Sequence, residues 1–128
     1  MRMLLDSHTL YWWETDDSKL SRRAWAAIDE DSAEVCISPV VAWEIANKVR
    51  SGKWPEAQPL VESFFSTMTY YGFRPLDVTL EHAHLAGTFR ASHRDPVDRM
   101  LAAQAHIEGI PLVTLDPAFQ AFGTQVLW

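Results

Sequence analysis

Cysteine is almost missing from this chain of 128 residues, since Cys36 is the only one. A single cysteine forms no internal disulfide and cannot build a thiolate metal cluster. The five glycines are scattered, which excludes a glycine-rich phosphate loop, and no G-x-S-x-G motif is present. No apolar run approaches the roughly 18 residues of a membrane span. Because Asp6 interrupts the first apolar run too early for a signal peptide, we expect a cytoplasmic protein with no membrane partner.

Positive charge is also scarce. Lys and Arg total 11 against 17 Asp and Glu, which gives a formal net charge of −6 at pH 7. Broad nucleic-acid binding depends on a basic field that releases counterions, so it is not expected here. A nucleic-acid enzyme whose acids are concentrated around a metal stays open. The length and the 48% hydrophobic content predict one globular domain over residues 1–128.

Strand and helix signals alternate along the chain. Short apolar segments predict strands at 3–5, 35–37, 111–115 and 125–128, and Pro75 makes 73–78 an expected edge strand. Helices are predicted from Ser7 (with Ser7 or Thr9 as cap) to Trp13, from Ser21 to about Asp31, from Pro39 to Gly52, over 60–71, from Thr79 to about Gly87, from Pro96 to Gly109 and over 118–122. This alternation predicts an α/β fold with a mainly parallel sheet covered by helices on both faces.

Acidic residues stand where several of these elements begin or end. Asp6 and Asp116 follow strands, Glu44 interrupts an apolar helix, and Asp95 and Asp98 open the helix after a polar loop. Ligands of parallel sheets bind at the carboxyl ends of the strands, so we expect these acids to converge there. Clustered carboxylates repel one another unless a cation neutralises them. Hard oxygen donors without cysteine favour Mg²⁺ or Mn²⁺ over Zn²⁺.

Each acid also has a purely structural interpretation. Asp6, Asp95 and Asp116 can cap the helix or turn that follows. Glu44 can form an ion pair with the lysine four residues later, and Asp98 can complete a capping box or stabilise the helix N-terminus. The sequence leaves open whether Asp95 or Asp98 is the third acid of the site, with Asp95 the stronger capping candidate.

Four segments occur in a familiar order along the chain: Leu4-Leu5-Asp6-Ser7-His8, Trp43-Glu44-Ile45-Ala46, the run from His93 to Leu101, and the run from Pro111 to Asp116. Together they resemble the VapC-type toxins of the PIN-domain ribonuclease family, and the resemblance extends from residue 3 to residue 128. It implies a PIN-like three-layer fold, in which a central sheet of about five strands is flanked by helices.

The resemblance also implies an activity. Members are Mg²⁺- or Mn²⁺-dependent endoribonucleases that act as toxins, with an RNA product carrying a 5′-phosphate. Carried over to this chain, the catalytic and metal-binding acids are Asp6, Glu44, Asp98 and Asp116, and Asp95 joins them as a metal ligand. A cognate antitoxin and a homodimer are the implied protein partners.

Two other functions stay open, a catalytically silent PIN-like binding module and another Mg²⁺-dependent phosphohydrolase. A haloacid-dehalogenase-like phosphatase needs a second Asp two residues after Asp6, where this chain has His8. Basic residues flank the acids and are candidates for holding the RNA backbone, or simply for solvation: Lys48, Arg50, Lys53, Arg90, Arg94 and Arg99. Aromatic residues on the first two helices are expected in the core, or as anchors for an antitoxin or dimer contact: Tyr11, Trp12, Trp13 and Trp25.

Overall fold

The computed structural model describes residues 1–128 and contains one sheet of five strands. The strands are β1 (Arg2–Leu5), β2 (Glu34–Ile37), β3 (Arg74–Pro75), β4 (Leu112–Val113) and β5 (Val126–Leu127). All of them pair in parallel, in the order β3-β2-β1-β4-β5. The predicted α/β architecture is therefore confirmed, and the proline-containing strand β3 lies at an edge, where a missing backbone N–H is tolerated.

Seven α-helices connect and cover the strands. They are α1 (Ser7–Glu14), α2 (Arg22–Asp29), α3 (Pro39–Arg50), α4 (Gln58–Glu62), α5 (Phe64–Tyr71), α6 (Leu80–Thr88) and α7 (Pro96–Glu108), with 3₁₀ turns at Pro55–Ala57 and Pro117–Phe122. Ser21 and Ser38 cap α2 and α3 as predicted, because their hydroxyls accept backbone N–H bonds. Gly109 ends α7 with φ 65°, a left-handed conformation that favours glycine. None of the helices is long and apolar enough to cross a membrane.

Two local predictions are wrong. The helix expected over 60–71 is interrupted at Ser63, whose hydroxyl donates to the Pro59 carbonyl at 2.9 Å. Such bonding back to the preceding turn competes with regular helix geometry. The cap of α1 is Asp6 rather than Ser7 or Thr9, since Asp6 Oδ1 accepts from the Thr9 backbone N–H at 2.9 Å. The Thr9 hydroxyl instead donates to the Val113 carbonyl, which ties α1 to β4.

The central strands are covered on both faces, which explains their unbroken apolar sequence. Met3, Leu4 and Leu5 of β1 are all 0% exposed. Cys36 in β2 is buried, and that burial raises the pKa of its thiol. The expected core position of Trp25 is wrong, because its side chain is 45% exposed. The other three early aromatics are partly buried against the core, as expected.

Candidate active site

The carboxyl ends of β1 and β4 open onto a cleft of about 440 Å³. Asp6 directly follows β1, and Asp116 lies three residues after β4. Glu44 projects from the middle of α3, while Asp95 and Asp98 stand at the start of α7. All five predicted acids line this one cleft. The convergence expected from the sequence is therefore present.

Asp6 combines the structural and the functional interpretation. Its Oδ1 accepts the capping hydrogen bond from Thr9, and its Oδ2 accepts a hydrogen bond from the Thr114 hydroxyl. The same Thr114 oxygen accepts from the Asp116 backbone N–H at 3.1 Å, so it links the two acids that follow the strands. The capping hydrogen bond therefore holds the Asp6 carboxylate in the cleft, so its capping role is compatible with a role in the site.

Glu44 is held from two sides at the cleft. Ser7 Oγ donates to its Oε1 at 2.5 Å, and Lys48 Nζ lies 3.6 Å from its Oε2. The predicted i,i+4 ion pair is confirmed, and the Glu44 side chain is only 13% exposed. Lys48 also lines the cleft, where it adds one positive charge beside the acids.

Asp95 is the N-cap of α7. Its Oδ1 accepts from the backbone N–H groups of Val97 at 2.9 Å and Asp98 at 3.1 Å. The capping interpretation of Asp95 is therefore confirmed, although its side chain still borders the cleft.

Asp98 has a different environment. Its Oδ2 lies 2.7 Å from His93 Nε2 and takes no part in a capping box, so that alternative is wrong. The pKa of Asp98 is raised to about 6, mainly by burial; the charges of Asp95 and Asp116 contribute to the rise, and His93 opposes it. The loss of water around this carboxyl therefore favours its protonated form.

Asp116 caps the last 3₁₀ turn, with its Oδ1 accepting from the Ala118 backbone N–H at 2.9 Å. Each acid that follows a strand therefore uses a backbone donor to fix its orientation. Ser7 and Thr114 are the supporting residues that the sequence analysis missed. Their only signal is position, since each stands within two residues of a predicted acid at a strand end.

Arg99, a candidate for RNA binding or for solvation, is bonded to the protein backbone instead. Its guanidinium donates four hydrogen bonds of 2.7–2.9 Å to the carbonyls of Ala86, Phe89, Ala91 and His93. A guanidinium has five N–H donors, so most of this group is committed to the protein backbone. Arg99 consequently shapes the loop that precedes Asp95 and carries His93.

The cleft has the right donors for a hard divalent cation. Carboxylate oxygens dominate its polar lining, and no cysteine reaches it. No three acid, histidine or cysteine side chains are placed to hold a metal ion in this structure. The donor chemistry fits Mg²⁺ or Mn²⁺, and ligation requires the carboxylates to turn towards a common point.

Comparison with known proteins places this chain in a family. Residues 3–124 match the sequence model of the PIN domain. The chain is 31% identical over 115 residues to Ribonuclease VapC22 of Mycobacterium tuberculosis (strain ATCC 25618 / H37Rv), which covers 89% of this chain and 86% of that protein.

Solved structures share the fold at lower identity. The crystal structure of VapBC2 from Rickettsia felis, bound to a DNA fragment from its promoter, aligns with TM-score 0.70 and 18% identity over 98% of this chain and 97% of that one. Mycobacterium tuberculosis VapC20, a sarcin-ricin loop cleaving toxin, aligns with TM-score 0.68 and 16% identity over 95% of each chain. The family model covers almost the whole chain, and the ribonuclease relative is more than 30% identical to it. The chain therefore belongs to the PIN-domain ribonuclease family and is a VapC-type member of it.

Proposed function

We propose that this chain hydrolyses RNA phosphodiester bonds with Mg²⁺ or Mn²⁺ in the acidic cleft, as the toxin of a toxin–antitoxin pair. The observation that carries the proposal is the meeting of the five predicted carboxylates at the carboxyl edge of a parallel sheet. The ribonuclease relative supports RNA as the substrate class.

A bound divalent ion supplies an activated water and neutralises charge on the phosphate. Asp6 and Asp116 are the proposed direct ligands, since backbone donors fix both at the strand ends. Glu44 and Asp98 are proposed to contribute directly or through water. Asp95 spends one oxygen on two backbone N–H groups, and we assign it to the ligand set through its remaining oxygen and its charge.

Two further side chains act on the substrate in this proposal. Lys48 lies within the cleft and places its ammonium where an RNA phosphate approaches the acids. Asp98 is the carboxyl that we assign to proton exchange near neutral pH, because its pKa is raised to about 6. His93 orients it through their hydrogen bond.

An antitoxin and a second copy of the chain remain proposed partners. The VapBC2 neighbour supports the former, and exposed aromatic side chains provide apolar contact surface for either. Trp43 is 60% exposed and Phe65 is 83% exposed, so both offer large aromatic side chains to a partner.

RNA cleavage with metal exchange tests the proposal. Purified protein should cut RNA in Mg²⁺ or Mn²⁺, stop in excess EDTA and recover when the metal is restored. Asp6→Asn should remove most of this activity, while Asp31→Asn, an exposed acid outside the cleft, should not. Cleavage that persists in excess chelator contradicts the mechanism.

The same assay separates the alternatives. A catalytically silent module would bind RNA and cut none in either metal. Another phosphohydrolase would release phosphate from small phosphate esters and leave RNA intact.

A further inference from the structure

Aromatic rings form one wall of the acidic cleft. His8 and Trp12 line the cleft beside the acids, one helical turn apart on α1, with ring centroids 5.5 Å apart. His8 stacks on Trp54, with centroids 4.7 Å apart and planes inclined by 29°. Trp12 in turn contacts Trp128 edge-on at 5.8 Å. We call these four rings the aromatic wall, in which His8 and Trp12 face the cleft and Trp54 and Trp128 pack against them.

The three tryptophans of the aromatic wall are fixed by packing against the protein core, whereas the His8 imidazole is not part of that core. Trp12, Trp54 and Trp128 are partly buried and packed against the hydrophobic core, and Tyr11 supports Trp54 from 5.0 Å. His8 is exposed and takes part in no hydrogen bond of its side chain to the protein. Core packing therefore explains the tryptophans but gives no reason for an aromatic ring at position 8. What the core does provide is a fixed backing for that ring.

The wall adjoins the charged part of the cleft. Lys48 Nζ lies 5.9 Å from the centre of the Trp54 ring and 3.6 Å from Glu44, so its charge stands between the aromatic wall and the acids. A ligand that has a negative group next to a planar ring matches this arrangement, because its negative group can contact Lys48 while its ring contacts the aromatic wall. A nucleotide unit of RNA has both parts, joined by a sugar.

The charge of the protein favours such a local contact. With a net charge of −6, the chain has no bulk attraction for RNA, and Arg99 is occupied by backbone carbonyls. Stacking of a base on an aromatic side chain adds affinity through the π-faces of the two rings rather than through a basic surface. A ring held in place before binding loses little entropy when the ligand stacks on it.

We propose that the aromatic wall is a base-stacking subsite, where an unpaired base of single-stranded RNA beside the scissile phosphate stacks on His8, backed by Trp54. This inference rests on the proposed ribonuclease function and adds to it a side chain that contacts a base of the substrate. Only a base with an open face can stack on His8, because bases within a duplex already have both faces covered by their neighbours.

Binding measured without cleavage tests the subsite. A short fluorescein-labelled single-stranded oligoribonucleotide is titrated with protein in EDTA, and its anisotropy is compared with that of an oligonucleotide of the same length carrying abasic positions. The wild type should bind the base-containing strand more tightly than the abasic strand. His8→Ala should lose about 5- to 100-fold in affinity for the base-containing strand, and little for the abasic one.

Matched variants distinguish stacking from charge. His8→Phe keeps an aromatic face without an ionisable group and should bind within about twofold of the wild type, since stacking needs only a π-face. His84→Ala removes another exposed histidine, on α6 and outside the cleft lining, and should change nothing. Thermal melts verify that each variant folds, and His8→Gln serves as a second non-aromatic variant.

Several results overturn the inference. For the wild type, these results are equal binding of base-containing and abasic strands, or undetectable binding of either strand. For the variants, they are wild-type affinity in both non-aromatic variants, or a His8→Phe variant that binds as weakly as His8→Ala. Cleavage in Mg²⁺ is measured separately on the wild type. Active cleavage with no effect at His8 rejects the subsite alone, whereas base-dependent binding without cleavage rejects the proposed function and retains the subsite.

Discussion

Replacing Asp98 with asparagine should stabilise the metal-free protein at neutral pH and abolish RNA cleavage. Asp98 is partly buried, with 19% of its side chain exposed, and it lies among other acids. Asparagine has nearly the same shape and can keep a hydrogen bond to His93, so the substitution removes mainly the charge. A residue that serves only the fold would not behave in this way.

The magnitude follows from the pKa of Asp98. Its rise from 3.8 to about 6 corresponds to about 3 kcal/mol of unfavourable free energy when the carboxyl is ionised in the folded protein. The folded state binds this proton more tightly than the unfolded state does. The stability contributed at this site is therefore greatest below about pH 4 and is lost as the pH rises through about 6.

The assay is urea unfolding followed by tryptophan fluorescence, in EDTA, at about pH 4 and about pH 7.5. Asp98→Asn should raise the free energy of unfolding by up to about 3 kcal/mol at the higher pH and by little at the lower one. Asp95→Ala should instead lower it by about 1 kcal/mol through loss of the N-cap, with a smaller effect on cleavage. A destabilised Asp98→Asn variant at neutral pH, or an inactive and stable Asp95→Ala variant, would reverse the two assignments.

Three further outcomes follow from side chains outside the acidic cluster. Arg99→Lys should lower stability by about 2 kcal/mol and reduce cleavage, because an ammonium cannot serve four carbonyls in a planar arrangement; an unchanged melting temperature contradicts this. His82 is 1% exposed, and its Nδ1 accepts from the Thr79 backbone N–H while its Nε2 lies 3.1 Å from Glu108. His82→Ala should therefore cost about 3 kcal/mol in urea unfolding, and a loss no larger than that of an exposed histidine would refute it. Cys36 should resist a thiol reagent in native buffer and react in urea, since burial raises the pKa of its thiol and blocks access; rapid native labelling contradicts this.

The architecture was predictable because its signals are local. Parallel strands buried on both faces appear as short apolar runs, and residues such as Ser38 before Pro39 mark helix starts with little ambiguity. The interruption at Ser63 was not predictable, because one hydroxyl bonding to a carbonyl in the preceding turn leaves the apolar pattern unchanged. The lengths of the last three strands were also overestimated, as at β4, which is only Leu112–Val113.

The acids of the site were predictable from the sequence, but the residues that hydrogen-bond to them or position them were not. Strand ends and an apolar helix interrupted by one charge indicate Asp6 and Glu44 directly. The roles of Ser7, Thr114 and Arg99 depend on contacts between segments far apart in the chain. Sequence spacing carries no information on such contacts, so Arg99 was a candidate for RNA binding or for solvation although it serves the backbone.

A titration with Mn²⁺ tests the central claim most directly, with binding measured by calorimetry and by the EPR signal of the free ion. The claim is that the acids of the cleft hold the divalent ion used in RNA cleavage. Wild type and Asp31→Asn should bind Mn²⁺ alike, whereas Asp6→Asn and Asp116→Asn should each bind at least about tenfold more weakly and lose cleavage in parallel. Unchanged Mn²⁺ affinity in both cleft variants would contradict the account.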